Sequence, residues 1–505
     1  MASSKTGIDV HQLAKDLAFI SSKYNNTNIL GNTFLKLGKP TSENLLPYLR
    51  HNENKNLLKI SIFFLSFLPR LFVHLAREIA RAIHFRNENS LPFGELISSD
   101  FLFVSHYTHP TVDYSKDSYF GIIPYELNST ASKASIFLLN HTKEKANFIL
   151  QKFDRSSRVP HYVNPKALGM RDLAWAIRNQ IPASAKMLIG SIFDKELNLR
   201  QKLLLVDASI AQFSRSTFAA IILVKNLEQV LLRVQPRNLV LTFEGHSFEV
   251  LALKLIRDKF PDVRVILYQY APIVKDQFGI FGTLKALSPP DIVLVTGATV
   301  KDYFIKRAPS IEGRIEIVGS PKQQEGRENA ITEINSIDKF SVCLFAPEAS
   351  KEAFDEMLQI ALICSKALKS RKFIIRVHPA SHFDKNVITD IQQAFNSNLS
   401  FSKSLLEEDL KRSGFCVYRS SAVAIQGLVE GVRPIHFSFK NTDGLDPLAI
   451  TELKHESMTH ASQLVSYFKR IDENDQLTLF PSLAEMRNAY DQYFQPLNSL
   501  IFRNF

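Results

Sequence analysis

Three places in the 505-residue sequence put polar groups where a run of apolar residues ends. The run Phe373–Val377 leads directly into His378-Pro379-Ala380-Ser381. Proline confines the residue before it to extended backbone, so His378 projects from the strand end, where an imidazolium can donate to a departing phosphate. Phe415–Tyr418 leads into Arg419-Ser420-Ser421, and helical spacing begins at once. Hydroxyls beside the free N–H groups of a helix start make an anion site; they equally make an ordinary N-cap. In the first half, Leu239–Phe243 ends in Glu244-Gly245-His246. A carboxylate beside glycine at a strand end can reach a hydroxyl and take its proton. The plainer reading of Glu244 is a helix cap or an ion pair. Gly319-Ser320-Pro321-Lys322 reads as a turn, or as a loop that brings Lys322 to a phosphate.

Other patterns drop out. His455-Glu456-Ser457-Met458-Thr459-His460 has one residue too many for a zinc-binding HExxH helix, and no Asp-x-Asp triplet is present to hold a divalent ion against a diphosphate. No metal site is therefore expected. Gly279-Ile280-Phe281-Gly282 is neither a Walker loop nor a dinucleotide fingerprint.

The elements that must carry these residues are legible from about residue 98 onward. Phe101–Val104, Ala134–Leu139, Asn238–Phe243, Val263–Tyr268, Ile292–Val295 and Ile315–Val318 read as buried strands. Ser247–Lys259 and Thr299–Arg307 read as helices between them. The pattern restarts with strands at Ser341–Phe345, Phe373–Val377, Phe415–Tyr418 and Pro434–Phe439, and helices at Lys351–Leu368, Val387–Phe395 and Ala422–Glu430. Strand–helix alternation at these lengths implies parallel sheets covered on both faces. The expected class is α/β, with two Rossmann-like doubly wound domains facing a central cleft and a mostly helical N-terminal extension. The boundaries are 1–97 for the extension, 98–322 for the first domain, 323–340 for a polar linker, 341–480 for the second domain and 481–505 for a helical tail packed back across the first. Ligands of doubly wound sheets sit outside the carboxyl ends of the strands, so the three polar strand ends fall where a ligand would be.

Charge narrows the partners. Against 61 Lys and Arg stand 50 Asp and Glu, a net +11, which favours nucleotide phosphates or anionic lipid. No zinc-finger spacing or dense basic tract points to nucleic acid. Cys343, Cys364 and Cys416 are too few, and odd in number, for a disulfide framework, as suits a reducing compartment. Met1–Lys15 has no apolar core and is not read as a secretory signal. The longest apolar run, Ile60–Leu68, is short of the ~20 residues a spanning helix needs. After Pro69, Phe72, Leu75, Ala76, Ile79 and Ile83 share one helical face, with Lys59, Arg70, Arg77, Arg81 and Arg86 around it. This is either an amphipathic element lying on an anionic membrane or a helix packed on the core.

The order strand–Glu-Gly, strand–His-Pro, strand–Ser-Ser–helix resembles bacterial glycosyltransferases of the GT-B fold. It is most similar to those using CMP-activated ulosonic acids: sialyltransferases, polysialyltransferases and Kdo transferases. The segment Asp117–Leu127 also resembles surface-carbohydrate biosynthesis proteins. The resemblance implies an inverting, metal-independent transfer to a surface polysaccharide or lipid-linked glycan, with a CMP-linked sugar as co-substrate and no other cofactor. Carried over, Glu244 is the general base, or else His246 or Glu249, because the family's acidic motif usually has two acidic residues and this chain has Phe243 before Glu244. His378, beside Pro379, binds and protonates the departing phosphate, and Ser420 and Ser421 hydrogen-bond it. Gln426 stands where many relatives carry a Glu that grips the ribose. The alternatives are a CDP-polyol phosphotransferase of the teichoic acid type, a nucleotide-sugar 2-epimerase, or a catalytically degenerate scaffold in glycan assembly. The implied location is cytoplasmic, peripheral at the inner face of the membrane.

Overall fold

The computed structural model describes parts of 16–24 and 69–83 and most of 98–505. Its main gaps are 109–115, 155–158, 285–289, 324–336, 382–391, 439–444 and 475–480, with Pro379 and Ala380 among the shorter ones. The expected helix at Val387–Phe395, apart from the helical Gln392, and most of the expected linker lie outside the described residues.

The first half builds a seven-stranded sheet from β1 (Phe101–Tyr107), β2 (Ala134–Asn140), β3 (His161–Val163), β4 (Asn238–Thr242), β5 (Arg264–Gln269), β6 (Ile292–Val295) and β7 (Ile315–Ile317). The second half builds a six-stranded sheet from β8 (Val342–Ala346), β9 (Lys372–Ile375), β10 (Leu399–Phe401), β11 (Phe415–Tyr418), β12 (Arg433–Phe437) and β13 (Glu456–Met458). Every pairing is parallel. The orders are β3-β2-β1-β4-β5-β6-β7 and β10-β9-β8-β11-β12-β13, the same winding twice. Chain direction across each sheet reverses once, between β1 and β4 and between β8 and β11, the kind of place at which doubly wound sheets hold their ligands. The two expected doubly wound units are present. Their central strands are buried throughout, which is why they read as unbroken apolar runs.

The helices that matter here are α1 (Met170–Phe193), α2 (Leu199–Ala211), α3 (Arg215–Val234), α4 (Ser247–Lys259), α5 (Ala298–Arg307), α6 (Lys351–Ala367), α7 (Val423–Val429) and α8 (Leu483–Tyr493). Helices α4 to α7 fall within a residue or two of expectation. The long crossover α1–α3 was not foreseen. Helix α1 buries Gln180, Ser184 and Ser191 and exposes Ile181, Ile189 and Phe193, so it has no single apolar stripe to betray its period.

The tail does pack across the first half. The Ile273 N–H donates to the Tyr493 hydroxyl (2.8 Å), Gln495 N–H to the Thr296 carbonyl (2.9 Å), and Asn498 N–H to the Val318 carbonyl (2.8 Å). Phe502 then closes on Phe101 and Phe103. Gly319 adopts φ +84°, and a Cβ there would run into the Pro496 backbone, so the tail's path demands glycine. Helix α8 also touches the second half through α7, with Arg487 donating to the Val429 carbonyl (3.4 Å), and one apolar core runs through both halves.

Among the described residues no helix is long and apolar enough to cross a membrane. Residues 75–83 are helical, with Ala82 packed near Leu173 and Phe218. The face expected to be apolar splits: Leu75 leans on that cluster, while Phe72, Ile79 and Ile83 remain exposed. Ile60–Leu68, Lys59, Arg70 and Arg86 lie outside the described residues. All three cysteines are buried free thiols.

Candidate functional site

Glu244 leaves the carboxyl end of β4, at the first reversal point, and neighbouring groups set its backbone. Glu249, in the first turn of α4, is fully buried and accepts the N–H groups of Glu244 (3.0 Å), Gly245 (2.7 Å) and His246 (2.8 Å). Gly245 takes φ +83°, where an added Cβ would collide with the backbone of Gly279 and Ile280. Capping therefore falls to Glu249 rather than to Glu244. Burial, opposed by those N–H bonds and reinforced by the Glu244 charge, holds the Glu249 carboxyl well above the usual range.

The Glu244 carboxylate faces other groups. Its Oε1 accepts the Tyr270 hydroxyl, and its Oε2 lies 3.8 Å from His246 Nε2. Tyr270 comes from the connection after β5, and its ring meets Tyr119 edge-on at 4.6 Å between centroids. Tyr119 is held by Asp117, whose carboxylate accepts the Ser105 hydroxyl (2.8 Å) and the Tyr119 and Phe120 N–H groups (2.8 and 2.9 Å). Beneath Tyr119 lies His106, from the end of β1. Its Nδ1 is 2.9 Å from His141 Nε2, and its Nε2 is 2.9 Å from the Thr242 hydroxyl. Burial, helped by the neighbouring His141, pushes His106 down to about 3, and burial followed by His246 lowers His141. Both imidazoles are therefore neutral at physiological pH, each with one ring nitrogen that donates and one that accepts. Burial and then the Glu244 charge raise the Tyr270 phenol, so it stays protonated and keeps donating. The ends of β1, β2, β4 and β5 thus converge on one carboxylate. Lys322 joins them: its Nζ lies over the rings of Tyr270 (5.9 Å) and Phe494 (6.0 Å), while the Tyr490 hydroxyl holds its carbonyl (2.9 Å).

The second reversal point carries a different cluster. Glu348, just past β8, accepts a forked pair from Arg419, Nε to Oε1 at 3.0 Å and Nη2 to Oε2 at 2.9 Å. The Ser420 hydroxyl also donates to Glu348. Arg419 is almost wholly buried, and its planar fork matches the two oxygens of the half-buried Glu348 carboxylate. His378 follows β9, half-buried, and its carbonyl accepts the Ser381 N–H (2.9 Å). The Ser381 hydroxyl bonds the Ala349 carbonyl (3.1 Å), which ties the His378 connection to that of Glu348. Helix α7 begins at Val423 with Ala422 at the cap, so neither serine is the N-cap; Ser421 instead accepts the Val423 N–H (3.3 Å). Gln426 lies half-buried one turn into α7, and Pro379 lies outside the described residues.

A cavity of about 930 Å³ lies between the halves. Lys275 and Tyr303 line it from the first half, Leu453 and Lys454 from the second, and Asn488 and Gln492 from the tail. None of Glu244, Lys322, His378, Ser420, Ser421 or Gln426 lines it. Among the described residues no cluster of three or more His, Cys, Asp or Glu is set to hold a metal.

Sequence reading did not nominate His106, His141, Tyr119, Tyr270 or Glu348. The signal existed for three of them. His106, His141 and Glu348 each close an apolar strand run, the same mark that singled out Glu244 and His378.

No family model matches the sequence, and no curated protein sequence does. Solved structures of similar layout include UDP-GlcNAc 2-epimerase from Neisseria meningitidis bound to UDP-GlcNAc, 12% identical with a TM-score of 0.45, covering 80% of this chain and 98% of that one. CalG4, the calicheamicin glycosyltransferase, is 11% identical with a TM-score of 0.46, covering 81% and 97%. The wall teichoic acid polymerase TagF is 11% identical with a TM-score of 0.38, covering 86% and 96%. Likeness at such identities and scores carries no chemistry over to this chain.

Proposed function

We propose that this protein is a glycosyltransferase that moves a sugar from a nucleotide-activated donor to a hydroxyl of a surface polysaccharide or lipid-linked glycan. What supports the reading is that polar groups stand past the carboxyl ends of both sheets: Glu244 after β4 in one half, and in the other Ser420 after β11 and His378 after β9. Two such switch points in one chain suit a reaction between two substrates.

Glu244 takes the proton of the acceptor hydroxyl, and Tyr270 fixes the carboxylate while the Glu249-held backbone fixes its origin. The acceptor oxygen forms the new bond to the anomeric carbon as the bond from that carbon to the donor phosphate breaks. The phosphate oxygen leaves with the electron pair and is met by His378 and by the Ser420 and Ser421 hydroxyls, Ser420 turning from Glu348 to do so. A single displacement inverts the anomeric configuration. Within this reading the donor is a CMP-linked ulosonic acid.

Thermal unfolding of the full chain with CMP, CDP, UDP and GDP tests the donor, since a ligand of the native state raises its melting temperature. Selective stabilisation by CMP is expected. A response to CDP alone replaces the ulosonic donor with an activated polyol, and no response to any nucleotide refutes the transferase reading. Glu244→Gln should keep the CMP response and lose transfer by roughly 10²-fold or more. Full transfer activity in both Glu244→Gln and His378→Ala would overturn the assigned roles.

A further inference from the structure

Helix α1 mixes polar and apolar residues on both of its sides. Its inner side buries Gln180, which donates to the Gln212 carbonyl (2.8 Å), and Ser184, whose hydroxyl meets that of Ser209 (2.7 Å) on α2. Its outer side shows Ile181, Ile189, Ile192 and Phe193 to solvent, the last at 73% exposure. Trp175 is on the same side, with Lys225 Nζ 3.9 Å from its ring centre. Met170, Arg171, Ala174, Arg178, Pro182, Ala185 and Lys186 complete the exposed set. At 3.6 residues per turn all of these positions fall within one arc of about 160°. The arc holds three cations and no carboxylate: Asp172 lies beside it, and Asp194, past the helix end, is tied to Lys23 and Tyr24. Residues 75–83 pack against the first half of this helix through Ala82 and Leu173, and they too leave Ile79 and Ile83 uncovered.

We infer that the outer face of α1 docks on an anionic lipid bilayer, with the helix lying in the plane of the headgroups. At 24 residues the helix is about 36 Å long, enough to present several apolar anchors at one depth. Aliphatic and aromatic side chains enter the acyl boundary while Arg171, Arg178 and Lys186 reach the phosphates, the division that interfacial helices use. A second copy of the chain fits less well, because a twofold contact would set these cations against their own images with no carboxylate between them. The inference stands whether or not the transfer reaction is the one proposed above.

Trp175 is the only tryptophan in the chain, so its emission reports this face directly. With the full-length protein, vesicles of phosphatidylcholine mixed with phosphatidylglycerol should shift that emission to the blue, and brominated acyl chains should quench it. Vesicles of phosphatidylcholine alone should do neither. Arg178→Gln and Lys186→Gln should each weaken partitioning about fivefold. Ile189→Asp, at an already exposed position, should weaken it further while leaving the circular dichroism spectrum unchanged. Equal binding to both vesicle types overturns the inference. So does vesicle binding with unaltered Trp175 emission, which places the contact elsewhere, and so does a blue shift that grows with protein concentration in the absence of lipid, which makes a second copy the occupant. The emission of the unmodified protein decides the matter even if a variant fails to fold.

Discussion

Replacing Glu249 tests how the Glu244 connection is held. The carboxylate accepts three backbone N–H groups from inside a fully buried site. Glu249→Ala leaves those three donors without that partner, at about 1–3 kcal/mol each, so a loss on the order of 3–9 kcal/mol is expected. Glu249→Gln keeps the shape and one carbonyl oxygen, which can still serve Gly245 and His246, but turns an NH2 toward Glu244 N. It should cost about 1–2 kcal/mol. Urea titration followed by Trp175 emission and by circular dichroism measures both, with lower midpoints at unchanged slope. The pH dependence has a definite sign. Burial raises the folded-state value above the ordinary 4.5, so the folded chain holds the extra proton more tightly. Stability from that proton is fully present below 4.5 and is lost as pH rises through the raised value, so the deficit of Glu249→Gln should widen toward acid pH. A Glu249→Ala cost under about 1 kcal/mol, or a glutamine variant as damaged as the alanine one, refutes the hydrogen-bond account.

Two further outcomes follow from ion pairs within the second half. Arg419→Ala takes the forked partner from the half-buried Glu348 and should destabilise by about 1–3 kcal/mol, read as a lower urea midpoint; an unchanged midpoint would count against it. His455 Nε2 lies 2.6 Å from Asp446, which also accepts the Tyr418 hydroxyl (2.9 Å). Burial opposes both charges, yet their mutual bond raises His455 above 6.5 and holds Asp446 below 3.8. The pair's contribution should therefore fade as pH climbs through the raised histidine value and again as pH falls below the carboxylate range, whereas His455→Gln should flatten the alkaline limb of a melting-temperature profile. A profile that keeps this limb in the variant would assign it to another group.

Much of the scaffold was legible because parallel strands buried on both faces write themselves as short apolar runs. Helices α4 to α7 stand between those runs as longer segments, which sets them apart from the strands. The strand-end residues Glu244, His378 and Ser420 could be picked out for the same reason, since the boundary of a buried run is a local property. Helix α1 escaped because its buried side is partly polar and its exposed side apolar, which erases the contrast that periodicity detects.

Composition and local pattern by themselves determined that this chain makes two doubly wound units and which residues sit at their strand ends. Only the tertiary structure decided what those residues meet. Tyr270 reaches Glu244 across 26 positions of sequence, His106 reaches Thr242 across 136, and Glu348 captures Arg419 and Ser420 across 71 and 72. No local propensity encodes such partnerships. They arise because the order of strands in a parallel sheet differs from their order in the chain, so the crossovers bring distant strand ends side by side at the reversal points. The choice of Glu249 over Glu244 as the helix-start carboxylate is of the same kind: both are acidic and five residues apart, and the positive φ at Gly245 decides which of them faces the backbone.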